Sequence, residues 1–485
     1  MTGSERGTAG AHDPVDLAAL RADVSAGALI TDADVLAPHS QDRAPFCTAG
    51  RARALVRARS VEDVRAVMRF AHRQGVPVVP QGARTGLAGG ANAVDGAILL
   101  DVSGMNRILN VDPVERTCTV EPGVVNQDLK DHVRSFGLAY PPDPGSVAIS
   151  TIGGNVATDA GGLCCVKYGV TRDYVRRLRV VLADGELTTL GRPTAKGVAG
   201  LALSQLFIGS EGTLGIIVEI ELDLVPALPS PVTAVALFPA QSGAAETVSA
   251  VAAAGYRLSM VEYLDRTTMG ILQDYRDFGL PAESGAMLLV QSDGDGDTSR
   301  AHTDLQAFEG VARERGASEV WVSDDPAESE VLVAARRAVN PAFEKFTHAR
   351  GGGQFIDDVC LPLGALRRFF EELDRLAAQY PDVVIANSGH AGDGNMHPCV
   401  FFDAADATAA AHAQLVFDEL MALGLELGGT ITGEHGVGGL KRSWLARELD
   451  PVAQDLHLRV KQAFDPRGIL NPGKMLADLS PQGTA

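Results

Sequence analysis

Pro80-Gln81-Gly82-Ala83-Arg84-Thr85-Gly86-Leu87-Ala88-Gly89-Gly90 follows directly on the apolar run Val76 to Pro80. That run reads as a buried strand, and the glycines after it let the backbone approach a ligand and aim N–H groups at phosphate. The spacing is not the GxGxxG of a Rossmann unit. Alone, the stretch is equally a tight turn between strands. Four further small-residue loops, all before residue 216, shift the balance: Pro141-Pro142-Asp143-Pro144-Gly145-Ser146, Thr151-Ile152-Gly153-Gly154-Asn155, Ala160-Gly161-Gly162 with Lys167-Tyr168-Gly169, and Gly209-Ser210-Glu211-Gly212-Thr213-Leu214-Gly215. A structural protein seldom needs so many, and together they suggest one long dinucleotide lying across several loops.

Outward from these loops the pattern alternates between helix and strand. Residues 1 to about 14 read as disordered, and Asp16 to Leu36 as a short helix. Ser60-Val61-Glu62-Asp63 resembles a capping box; Val64, Val67, Phe70 and Ala71 form one helical stripe, and Gly75 sits where that helix stops. Strands are expected at Ala97 to Val102 and Cys118 to Val120, and a helix at Val125 to Phe136. Arg179 to Ala183 and Leu187 to Leu190, joined by Asp184-Gly185, give the best hairpin signal. The proline-rich Val225 to Pro231 marks a domain boundary. Beyond it, strands (Val232 to Leu237, Ala286 to Gln291, Val384 to Ala386) mix with amphipathic helices (Ala244 to Ala254, Leu366 to Gln379, Ala409 to Leu427).

Composition narrows the partners. The 485 residues carry a formal charge of −19, which repels nucleic acid and anionic lipid. The six cysteines include no CxxC pair, and the adjacent Cys164 and Cys165 are poorly placed to bridge each other. A reducing cytoplasm is the expected compartment. The polar N-terminus lacks the apolar core of a signal peptide, and no run of about 18 apolar residues follows.

Near the C-terminus, Gly389-His390-Ala391-Gly392-Asp393-Gly394-Asn395-Met396-His397-Pro398 and Thr432-Gly433-Glu434-His435-Gly436-Val437-Gly438-Gly439-Leu440-Lys441 place three imidazoles and a carboxylate in two glycine-bound loops. Metal and acid/base sites ask this of a backbone. Together with the first loop, the run from Ile152 to Val170 and the GSEGTLG segment, these motifs and Asn471-Pro472-Gly473-Lys474 resemble a known family over about residues 47 to 475. It is the vanillyl-alcohol oxidase type with a PCMH-type FAD-binding domain. Within that type the chain is similar to the branch of the glycolate oxidase FAD subunit, D-lactate dehydrogenases and D-2-hydroxyglutarate dehydrogenase.

The resemblance implies an α+β protein: a two-subdomain FAD-binding domain over residues 47–227, then an α+β C-terminal domain over 228–475 that caps the flavin. A tail with a short helix (1–46) and a C-terminal tail (476–485) flank them. FAD contacts are expected from Gly82, Arg84, Thr85, Gly86, Leu87, Gly89, Gly90, Pro144, Gly145, Ser146, Thr151, Gly153, Gly154, Asn155, Ala160, Gly161, Gly162, Tyr168, Gly169, Glu211, Gly212, Gly215, Ile216 and Asn471. No histidine lies between Gln81 and Gly90, so non-covalent FAD is expected, with Cys164 and Cys165 as packed neighbours. Arg84 departs from the small residue usual there.

His390 and His397 flank a Gly-Asp-Gly turn, and Glu434 completes two imidazoles and one carboxylate, a set suiting divalent Zn, Mn, Co or Fe. Asp393 is expected to orient the turn. His435 is the candidate general base, and Arg336 matches the family's carboxylate-binding arginine, with Arg337 facing solvent. The implied reaction passes the Cα hydride of a 2-hydroxy acid to flavin N5, and electrons then leave to a quinone, a cytochrome or an electron-transfer protein. A homodimer or partner subunits, and a position peripheral to the membrane through the electron acceptor, are consistent with this. Members acting on 2-hydroxyglutarate carry a lysine near Ile356 and an asparagine at Cys399; without them D-lactate or glycolate is the expected substrate. Two alternatives stand beside this reading: a subunit that assembles a glycolate-oxidase-like complex, and an alkyl-transferring relative without net oxidation.

Overall fold

The computed structural model describes residues 15–44, 46–227, 230–280, 283–323 and 325–479. The N-terminal stretch expected to be disordered lies outside the described residues, as does the end of the C-terminal tail.

The first sheet is built on Ala54–Arg57, Ile98–Asp101 and Val78–Gln81, mutually parallel with Ile98–Asp101 in the middle. Their near-continuous apolar character suits strands covered on both faces. The helix Val61–Gln74 lies on one face, packing Val64, Val67, Met68 and Ala71 against Val56, Val78 and Leu100. Ser60 caps that helix by accepting from the Asp63 N–H at 3.2 Å. Only half of the expected capping box forms, because the Asp63 carboxylate accepts from Arg59 and from the Ser25 N–H and hydroxyl. The single helix expected over Asp16 to Leu36 is two short ones, Ala18–Asp23 and Ala33–Leu36. Gly27, at φ +76°, breaks the run, and Leu29–Ile30 joins the first sheet as an antiparallel edge.

The second sheet has five antiparallel strands in the order Ile108–Asp112, Thr117–Val120, Ile216–Asp223, Val175–Val181, Leu187–Gly191. The hairpin signal was right in place but short at its start: the strand begins at Val175, not Arg179. Its arginines masked it, and they are held in the sheet by acidic partners on the neighbouring strand, Arg179 with Glu219 at 2.9 Å and Arg177 with Glu221 at 2.5 Å.

The third sheet runs Glu319–Ser323, Val232–Phe238, Ala286–Ser292, Met260–Asp265, Val384–His390, Asn395–Asp403, Gly352–Ile356, with Val359–Cys360 also paired to Asn395–Asp403. Alternation sends Ala234, Ala236, Val261 and Tyr263 to one face, where the helices Gln241–Ala253, Thr298–Glu314, Leu366–Gln379 and Ala407–Glu426 cover them. Val235, Leu237, Met260, Leu264, Ala386 and Cys399 point to the other, packed by the helices Arg266–Tyr275 and Val339–Ala349 and by Leu163 from the glycine-rich half. This second face carries the site. The chain then returns: the Val78 N–H donates to Ile469 O and the Asn471 N–H to Val78 O, each at 2.8 Å, and Leu470 is buried among the first sheet's core residues. Among the described residues no helix is long and apolar enough to cross a membrane.

Candidate active site and metal centre

The strands Val384–His390 and Asn395–Asp403 pair so that His390 stands opposite Asn395 and Ser388 opposite His397. The period of two therefore puts both imidazoles on one face. The turn between them is held by Asp393, which accepts from the Asn395 N–H at 3.1 Å. Gly394, at φ +85°, must lack a side chain, since a Cβ would stand 2.1 Å from the Leu361 carbonyl.

Glu434 approaches from the loop after the helix Ala407–Glu426. Its Oε1 lies 3.3 Å from His390 Nε2 and 3.2 Å from His397 Nε2. That loop is shaped by Asp358, whose Oδ2 accepts from the Thr432 hydroxyl and from the N–H groups of Gly433, Glu434 and His435 at 2.6–3.0 Å. Asp358 Oδ1 stays free of hydrogen bonds and faces His397 Nδ1 at 3.6 Å. His435 stacks on His397 with ring centroids 4.7 Å apart and 10° between planes, its Nε2 3.8 Å from Glu434. Glu262, fully buried in the adjacent strand, accepts from His390 Nδ1 at 2.7 Å and from Arg336 Nε at 2.6 Å. Arg337, expected to face solvent, is partly exposed but also borders the cavity, where it bonds Asp143 at 3.0 Å.

These contacts set the charges. Burial opposes the charged form of Glu434, but His390 and His397 outweigh it and hold the carboxyl well below its ordinary range. Burial likewise opposes the charged imidazole of His390, and the carboxylates of Glu262 and Glu434 outweigh that in turn. His435 moves the other way. Burial, and the neighbouring His397, bring it down to about 4 against the pull of Asp358, so its ring is neutral near pH 7 and open to a proton.

A cavity of about 900 Å³ runs from this cluster into the glycine-rich half. That lies at the large end of the roughly 300–1,000 Å³ typical of small-molecule and cofactor sites. Of the residues expected to touch a dinucleotide, Gly82, Arg84, Thr85, Gly86, Leu87 and Gly90 line it. So do Pro144, Gly145, Ser146, Thr151, Gly153, Gly154, Asn155, Ala160, Glu211, Gly212, Gly215 and Ile216. His390, His397, Glu434, His435 and Arg336 line its other end.

Gly89, Gly161, Gly162, Tyr168, Gly169 and Asn471 stand behind the wall. Gly161 lets its loop reach Glu434, whose Oε2 would be 2.7 Å from a Cβ there; Gly162 and Gly169 make close approaches to Asp143 and Asp173, and Gly89 to Cys47. The Tyr168 hydroxyl donates to Asp293 at 2.5 Å, and Asn471 Nδ2 donates to the carbonyls of Gly90 and Glu211 at 2.9 and 2.8 Å. Glu262 and Asp358 escaped the sequence reading. The signal available for Glu262 was a carboxylate inside the apolar run Met260-Val261-Glu262-Tyr263-Leu264.

The donor set fits a divalent cation: two imidazole nitrogens and a carboxylate oxygen converge within 4.8 Å of one another, with buried carboxylates behind both rings. The glycine-lined end fits a dinucleotide.

Comparison with known proteins bears on the family and the fold. The family model "FAD linked oxidases, C-terminal domain" matches residues 229–475, and that of an FAD binding domain matches residues 52–191. The glycolate oxidase subunit GlcD of Bacillus subtilis is 39% identical over 424 residues, covering 87% of this chain and 89% of that one. A D-lactate dehydrogenase of Anaerostipes hadrus is 37% identical over 439 residues, covering 88% and 90%. The structure of p-cresol methylhydroxylase with substrate bound superposes with a TM-score of 0.79 over 96% of both chains; at 20% identity this speaks for the fold alone.

Proposed function

We propose that this chain, which belongs to the family of FAD-linked oxidases, oxidises a 2-hydroxy acid of the D-lactate or glycolate type to the 2-oxo acid, with a divalent metal assisting. The observation that carries the reading is the meeting of His390, His397, Glu434, His435 and Arg336 at one end of a glycine-lined cavity. Bound FAD supplies the hydride acceptor at N5, and a cation held by His390, His397 and Glu434 (Zn, Mn, Co or Fe) supplies Lewis acidity toward the substrate's hydroxyl and carboxylate oxygens.

The chain's own residues do the rest. Arg336 presents a guanidinium to the substrate carboxylate, the geometry suited to bidentate capture. His435, neutral and stacked in place, takes the hydroxyl proton as the hydride departs. The walls exclude water and fix the substrate flat against the flavin end. FAD is non-covalent in this reading: the first glycine loop offers no histidine, and burial pushes the Cys164 thiol up to about 12 and that of Cys165 higher still, leaving little thiolate.

Residues 47–227 then form the flavin-holding unit and 228–475 the substrate and metal unit, with 1–46 and 476–485 flanking. The substrate end presents Ile356 and Cys399 where 2-hydroxyglutarate enzymes carry a lysine and an asparagine, which favours one carboxylate over two. Electrons leave to a quinone, a cytochrome or an electron-transfer protein, and the protein works in the cytoplasm or peripheral to the membrane where its acceptor lies. A homodimer or partner subunits fit the relative that is named as a subunit.

Anaerobic bleaching of the flavin band by a panel of D- and L-2-hydroxy acids, with and without chelator, tests the proposal. One D-acid or glycolate should bleach it, and chelation should stop the reaction. A yellow protein that no hydroxy acid reduces would refute it.

A further inference from the structure

The buried carboxylate of Glu262 touches two groups with different tasks. The strand Met260–Asp265 lies beside Val384–His390 with Tyr263 opposite Gly389 and Leu264 opposite Ser388, a register that sets Glu262 across from His390 on the site face. The helix Pro326–Arg337 brings Arg336 to the same point from above the sheet. One oxygen accepts from His390 Nδ1 at 2.7 Å and the other from Arg336 Nε at 2.6 Å. The Glu262 side chain has no solvent exposure, so its desolvation is offset by the Arg336 guanidinium and the His390 N–H that bond it.

Two consequences follow. With its Nδ1 proton given to Glu262, His390 is fixed in the tautomer whose Nε2 lone pair faces Glu434 and His397. With Nε engaged, the Arg336 guanidinium is locked in rotation and leaves its two amino groups toward the cavity; among the described residues it makes no other hydrogen bond.

We propose that Glu262 is the positioning residue that ties the metal end of the site to the carboxylate-binding end, so that the cation's affinity depends on Arg336 although Arg336 is not a ligand. This rests on the functional reading above. A glutamine at 262 has one acceptor and one donor. To satisfy Arg336 it must turn its amide N–H toward His390, which then has to take the opposite tautomer and protonate the nitrogen meant for the metal. To satisfy His390 it must present the amide to the guanidinium, donor against donor.

The experiment is Mn²⁺ titration of the FAD-loaded protein by equilibrium dialysis, without substrate, on wild type, Glu262→Gln, Arg336→Gln and the double variant, with flavin content and thermal midpoint measured alongside. Glu262→Gln should bind Mn²⁺ about 10–100-fold more weakly. Arg336→Gln should bind it several-fold more tightly, because Glu262 is left to His390 alone. In the double variant the glutamine at 262 is free to turn its carbonyl to His390, so the Arg336 change should there recover much of the affinity lost in Glu262→Gln, a larger factor than it gives alone. The hydroxy-acid KM should rise in Glu262→Gln more than the lost metal explains when Mn²⁺ is saturating. Wild-type Mn²⁺ affinity in Glu262→Gln, or effects of the two changes that simply add, would overturn the proposal. If Glu262→Gln does not fold, the single Arg336→Gln variant decides, since unchanged metal affinity there sinks the coupling. A wild type that binds no Mn²⁺, Zn²⁺ or Co²⁺ overturns the functional reading itself, and this coupling with it.

Discussion

At the scale of single residues, variants can tell the proposed ligands from their neighbours. On the function proposed above, His390→Ala removes one of three metal donors and should leave the protein metal-free, measured as metal per protein after dialysis. His435→Gln should keep the metal while turnover falls about 10²–10⁴-fold, the usual range for a lost general base. Asp358→Asn sets an amide where four donors converge on one oxygen. It should cost roughly 2–5 kcal/mol of unfolding free energy in denaturant titration, through loss of charge-assisted bonds and a misdirected donor. The convergence of the histidines and Glu434 was legible in the sequence because local spacing foretells it: a Gly-Asp-Gly turn between two imidazoles, and a carboxylate beside a third. Glu262 and Asp358 were not, since nothing adjacent in sequence says that residue 262 will stand across from residue 390 or that residue 358 will gather the N–H groups of 433 to 435.

At the scale of elements, the large sheet depends on how its helices are capped. Asp265 ends a strand and caps the helix Arg266–Tyr275, accepting from the Thr268 N–H at 2.7 Å and, through its other oxygen, from the Asn387 N–H at 2.9 Å. Burial raises its carboxyl to about 6 from 3.8. The folded state thus holds this proton more tightly than the unfolded chain does, and its contribution is fully present below about 4 and lost as pH rises to about 6. Asp265→Asn should flatten the slope of unfolding free energy against pH in that window, by a total of about 3 kcal/mol at most; an unchanged slope would show that another group sets it. Strands and helices with clean apolar periods, such as Leu366–Gln379 and Val232–Phe238, were read from the sequence to within a residue or so. The strand at Val175 was misjudged at its start because its arginines find acidic partners only across the sheet.

At the scale of the molecule, the glycine loops and the loop that carries Glu434 and His435 are clasped together. Glu211 accepts from the Val437 and Gly438 N–H groups at 2.7 and 2.8 Å, while the Gly439 and Leu440 N–H groups donate to the Ala88 carbonyl. Gly438 stands at φ +51°, and a Cβ there would lie 2.0 Å from Ala88 O. Gly438→Ala should therefore pry the two apart, at a cost of at least about 1–2 kcal/mol from the backbone conformation alone. Flavin and metal should be lost together, seen as a parallel drop in flavin absorbance and metal content; loss of one without the other would mean that the loops act independently. The return of the chain adds a constraint in time. Val78 sits in the first sheet, yet Ile469, Leu470 and Asn471 complete its edge and brace the loops behind the cavity wall. On the ribosome, the nascent first sheet must wait through the making of nearly four hundred further residues for its last partner, so the finished pocket, and any lasting hold on its cofactor, belongs to the end of synthesis rather than its beginning.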